Sequence, residues 1–112
     1  MEIKKQKIQD FIVQTNSQAA LIFDTDGNLI LSVNSSNEDS IAAMSNAILS
    51  MCDKFLEDVE KGSLKQVFLK TTTNIIVFNK ITDTLALVVF SKLGTNLGLF
   101  LHKVEELAAD LK

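Results

Sequence analysis

"LIFDTDGNLI", Leu21 to Ile30, carries an apolar run straight into two aspartates and a glycine, then into a second apolar run. The flanking segments, "AALIF" and "NLILSV", are short and rich in residues that favour strands. Asp and Gly tolerate the positive φ of a tight connection, and Asp side chains bond their own backbone there. The stretch therefore predicts a β-hairpin, with "DTDG" as its turn. Two chemical readings compete with that turn. A calcium loop counted from Asp24 needs Gly at its sixth position and Glu at its twelfth, where Leu29 and Ser35 stand.

The stretch also resembles the first motif of haloacid-dehalogenase-type phosphatases. That resemblance would make Asp24 the nucleophile and Asp26 the general acid. Such chemistry needs further carboxylates to hold Mg²⁺. Downstream of the central helix the chain offers only Asp83, Glu105, Glu106 and Asp110, and Asn28 replaces the Thr normal after the glycine. It also needs a parallel sheet in a much longer chain, whereas these strands turn straight back. The turn is the stronger reading.

Outward from the hairpin, "EIKKQKIQDFIVQ" places Ile3, Ile8, Phe11 and Ile12 on one side of a helix. Lys4, Lys5 and Lys7 fall elsewhere, diluted by Glu2 and Asp10, so a docked helix is favoured over one lying on a membrane. After the hairpin, Ser36 and Asp39 have the spacing of a capping box, and a helix is expected to run to about Lys61. Ile41, Met44, Ile48, Met51, Cys52, Phe55 and Val59 form one apolar stripe, read as facing the core, with Met44 and Met51 as filler. A second row of small or apolar residues, Ala42, Ser45, Leu49 and Leu56, is read as a seam for a second copy.

Three strands follow Gly62: Leu64 to Lys70, Asn74 to Phe78 and Leu85 to Phe90. Their short connections make them antiparallel neighbours. The last two are apolar on both faces, which predicts cover on both sides. The first, with Lys65 and Lys70 near its ends, is the expected edge strand. The closing helix carries Leu97, Phe100, Leu101, Val104, Leu107, Ala108 and Leu111 on one stripe, with Thr95 or Asn96 as its cap. The expected fold is α/β in the α+β sense, in the order α-β-β-α-β-β-β-α. It is a three-layer α/β/α arrangement around an antiparallel five-stranded sheet, one domain over 1–112.

The chain has 112 residues, no Pro, and 46% hydrophobic residues, an apolar surplus that points to an oligomer. Net charge is −3, and all basic side chains are Lys, with no Arg, Trp or Tyr. Mild acidity without Arg argues against nucleic-acid binding. Cys52 is the single cysteine, so no internal disulfide forms, which fits a reducing compartment. No apolar run is long enough for a membrane span and the N-terminus lacks a signal pattern, so a cytoplasmic protein is expected. His102 has no second His and reads as a surface residue. "GTNLG" lacks the GK[ST] of a phosphate loop and reads as a cap. No metal or other cofactor is expected.

Three segments, "AALIFDTDGNLILS", "EDSIAAMSNAILSMCDKF" and "TNLGLFLHKVEELAADL", resemble the roadblock/dynein-light-chain domain, especially the bacterial and archaeal members that partner small Ras-like GTPases. "LKQVFLKTTTNIIVF" fits between them. The resemblance implies a roadblock (profilin-like) fold and a non-enzymatic dimeric adaptor or regulator of such a GTPase. The dimer would form with itself or with a roadblock paralogue. It would pair central helices and join edge strands, through Ala42, Ser45, Leu49, Leu56, Leu64, Gln66 and Phe68. The partner face would carry Glu38, Asp39, Asn46, Asp53, Lys54, Glu57 and Asp58. The alternative is a structural dimerisation subunit of a larger motor or signalling complex with no GTPase.

Overall fold

The computed structural model of the chain describes residues 5–94 and 96–112. Glu2, Ile3, Lys4 and Thr95, which figured in the expected first helix and the expected cap, lie outside them. Eight elements follow in order: α1 (Lys5–Thr15), β1 (Ala19–Asp24), β2 (Leu29–Val33), α2 (Glu38–Val59), β3 (Gln66–Lys70), β4 (Asn74–Lys80), β5 (Leu85–Lys92) and α3 (Leu97–Asp110). The strands form one antiparallel sheet in the order β2-β1-β5-β4-β3. β5 is central because its residues from Ala86 to Val89 are buried on both faces. β3 is an edge strand, as its flanking lysines suggested.

Alternation along β1 sends neighbouring side chains into different cores. Ala20 and Ile22 join Val77, Leu87 and Val89 beneath α1 and α3, which contribute Ile8, Phe11, Ile12, Val104, Leu107 and Ala108, with Leu111 added from the C-cap of α3. Leu21 and Phe23 join Phe78, Ala86 and Val88 beneath α2, which contributes Ala42 and Leu49. The rings of Phe11 and Phe100 meet with centroids 6.3 Å apart and a 43° tilt, holding α1 against α3. The stripe foreseen on the last helix is the stripe that is buried.

The two faces are covered unequally, and simple widths explain it. Five strands about 4.8 Å apart span roughly 19 Å. A helix with its side chains is about 10 Å across. Two helices roof one face; α2 alone roofs about half of the other, over β1 and β2. On the open half, Ile76, Phe90 and Val67 stay only half-buried, and Leu69 is exposed.

Local details differ from the sequence reading at both ends of α2. Ser36 and Asp39 form no capping box. The N-cap is Asn37, held at φ 53°, with no side-chain cap bond, and its carbonyl accepts from the amide of Ile41 at 3.0 Å. The helix ends at Val59, not Lys61, because Glu60 turns left-handed at φ 53°. At α3 the foreseen cap at Asn96 is present: its Oδ1 accepts from the Leu99 amide at 2.9 Å. Among the described residues, no helix is long and apolar enough to cross a membrane.

Candidate interaction face

The hairpin that opened the sequence reading is closed by Asp24. Its Oδ1 accepts from the backbone amides of Asp26 and Asn28, each at 2.9 Å, and its Oδ2 accepts from Asn28 Nδ2 at 3.2 Å. Gly27 supplies the positive φ, 83°, and its amide donates to the Asp24 carbonyl at 3.0 Å. Both oxygens of the would-be nucleophile are therefore occupied by its own loop. The bond from the Asn28 amide is the chief cause that lowers the Asp24 pKa below the ordinary aspartate value.

The sign of the linkage follows. A depressed folded pKa stabilises the hairpin above the unfolded pKa, and that contribution is lost as pH falls through the folded value. An NMR titration should place the Asp24 carboxyl below a free aspartate, and Asp24→Asn should remove this part of the acid dependence of stability. An Asp24 titrating at or above the ordinary value would contradict the loop geometry.

The two rows on α2 sit the opposite way round from the sequence reading. Ala42, Ser45 and Leu49, expected at a seam with a second copy, are buried against this chain's own sheet. Small side chains at the first two positions let the helix settle closely on the strands. The bulkier row is left outside: Met44, Met51, Phe55 and Val59 are 57%, 73%, 64% and 40% exposed. Met44 and Met51 are thus not core filler. Ile41, Ile48, Cys52 and Leu56 are half-buried along the margin between the two rows.

That outer row borders a groove of about 290 Å³ between α2 and β3, lined by Met51, Cys52, Phe55, Leu56, Leu64 and Val67. Beyond it, the β3 edge exposes Phe68 and Leu69, each 42% accessible. They point to opposite faces because they are sequence neighbours on a strand. Of the expected seam residues, Leu56 and Leu64 are therefore on this face, whereas Phe68, paired with Val77, points to the side of α1 and α3. Gln66 is not: its Nε2 donates to Asn79 Oδ1 at 2.8 Å and to the Leu101 carbonyl at 3.0 Å, which commits it to α3. Asn79, 5% exposed, is a structural residue that sequence reasoning missed. The sequence reading ended that strand at Phe78 and left Asn79 in the connection, whereas β4 runs on to Lys80.

The expected partner residues do not form one surface. Asp53 grips Lys80 at 3.0 and 2.9 Å and so ties α2 to the end of β4. Glu38 accepts from the Ser32 hydroxyl. Asn46 is half-buried beside the hairpin turn, near Gly27. Asp39, Lys54, Glu57 and Asp58 are exposed. Elsewhere, His102 is an exposed residue 3.8 Å from Glu106. Among the described residues, no three His, Cys, Asp or Glu side chains gather as metal ligands.

Comparison with known proteins agrees with this architecture. The sequence model of the Roadblock/LC7 domain matches residues 6–91. MglB of Myxococcus xanthus superposes with a TM-score of 0.87 at 16% identity, over 98% of this chain and 94% of that one. A Roadblock/LC7 domain from Streptomyces avermitilis gives 0.87 at 12% identity, over 97% and 94%. The gliding protein MglB from Thermus thermophilus gives 0.84 at 11% identity, over 95% and 83%. A search of curated proteins gave no match. Identities this low speak for the fold alone, and the family match supplies the rest: the chain belongs to the Roadblock/LC7 domain family.

Proposed function

We propose that this protein is a non-enzymatic, homodimeric adaptor whose paired α2 helices form a platform for a small Ras-like GTPase. The observation that carries the reading is the uncovered apolar row of α2, continuous through the groove with an open edge strand. Soluble domains seldom leave such a patch without a partner. A second copy answers both needs at once, covering the row and pairing the strand. Of the two free edges, β3 is the better suited. β2 is interrupted by a bulge, where Ile22 pairs with Leu31 but Phe23 with Leu29. β3 pairs with β4 residue for residue from Gln66 to Lys70.

The GTPase half of the reading is supported by the resemblance of the three segments to GTPase-partnering roadblock proteins and by the fold likeness to MglB. The exposed Asp39, Lys54, Glu57 and Asp58 are the polar groups free to meet such a partner. The chain has no Arg, so it has no arginine finger to insert into a GTPase site. Any acceleration of hydrolysis would come from positioning the GTPase's own groups.

The test is capture from host lysate with the tagged protein, in GDP or in a non-hydrolysable GTP analogue, followed by native mass spectrometry. A Ras-sized protein on a dimer, favouring one nucleotide, is the expected result. A dimer that returns alone, or with large non-GTPase subunits in both nucleotides, would replace the adaptor by a structural subunit.

A further inference from the structure

We propose that Met44 and Met51 make the self-association of this protein sensitive to peroxide. The inference rests on the homodimer reading above, since it concerns the same face. Met44 and Met51 are 57% and 73% exposed, and both stand on the outer row of α2. Met51 also lines the apolar groove beside Phe55, Leu56, Leu64 and Val67. In the separate chain both thioethers are open to a dissolved oxidant. In the paired state they are covered.

The chemistry is an oxygen transfer. A lone pair on Sδ attacks one oxygen of hydrogen peroxide and the O–O bond breaks. That oxygen remains on sulfur, and the other leaves as water with both peroxide protons. Sulfur is oxidised by two electrons and peroxide is reduced by two. The product sulfoxide is polar and accepts hydrogen bonds, but the groove is lined by apolar side chains and one thiol. Burying an unmatched polar oxygen there opposes pairing. Oxidation therefore traps the separate chain, and pairing shields the sulfurs, so the two processes compete.

The experiment compares the dimer dissociation constant by sedimentation velocity before and after hydrogen peroxide, with dithiothreitol added after quenching to return Cys52 to the thiol. Peptide mass mapping follows oxygen uptake at Met44, Met51 and Met1. The expected result is a constant raised about ten-fold or more, restored by methionine sulfoxide reductase, with slower oxidation of Met44 and Met51 at higher protein concentration. A Met44→Leu/Met51→Leu chain, which keeps side-chain volume and lacks the sulfurs, should pair as the parent does and ignore peroxide. An unchanged constant despite complete oxidation of both residues would overturn the switch while leaving the dimer intact. A chain that is monomeric before any oxidant is added would overturn the dimer reading itself, and the switch with it.

Discussion

Phe55→Glu is expected to split the dimer while leaving each copy folded. Phe55 is 64% exposed in the single chain, so the chain loses little packing when the ring is removed. Substitutions at such positions usually change stability by no more than about 0.5 kcal/mol. In a pair built on the α2 row, the same ring sits between Met51 and Val59 on the covered face. Large aromatic anchors near the middle of an interface commonly contribute about 2 kcal/mol or more, and a buried carboxylate adds a desolvation cost. The dissociation constant should therefore rise by about 30-fold at least. Light scattering on a sizing column across a concentration series reads the effect, and circular dichroism checks the fold. A variant that pairs as tightly as the parent would remove the α2 row from the interface.

Most of the architecture was legible because its signals are local. α3 carries a single apolar stripe, and with one stripe there is one way to dock a helix. The "DTDG" turn names its own geometry, since Asp24 and Gly27 act within four residues. β4 and β5 announced their double burial by lacking polar alternation. α2 was harder for a definite reason. It carries two adjacent apolar rows, and periodicity gives the angle of a row without saying which neighbour it meets. Side-chain size would have been the better guide, because a helix seated on a sheet puts its small residues inward. The interactions that redirect the candidate site were not readable at all. Gln66 meets Asn79 across 13 positions and Asp53 meets Lys80 across 27. Only the strand register and the path of α2 bring these groups together. The second pairing explains why a helix wheel overstated the partner surface: it counted every polar position as available, whereas the fold had already used Asp53 to fasten α2 to β4. The first shows the same for the expected seam, where Gln66 is committed to Asn79 and α3.

The seating of α2 can be tested through Ala42. Its side chain is fully buried in the cluster that holds Leu21, Phe23 and Val88. Ala42→Leu would put three further carbons where the helix meets the strands, and the core could accept them only if α2 lifted or its neighbours left their rotamers. Overpacking of this kind costs about 1–3 kcal/mol. For a domain of about 100 residues, each kcal/mol lowers Tm by about 4–8 °C. Pairing would itself add concentration-dependent stability, so the measurement belongs in the Phe55→Glu background, where the single chain is read alone by urea and thermal unfolding. Ala47→Leu, on an exposed position of the same helix, is the control and should stay within about 0.5 kcal/mol. The two orientations of the helix then give opposite results. With Ala42 against the sheet, Ala42→Leu destabilises the single chain strongly and Ala47→Leu does not. With Ala42 on a seam between copies, Ala42→Leu would leave the single chain as stable as the control and would instead disturb pairing in the parent background. Equal unfolding midpoints for the two variants would restore the orientation that sequence periodicity suggested and put the exposed methionines back in the core.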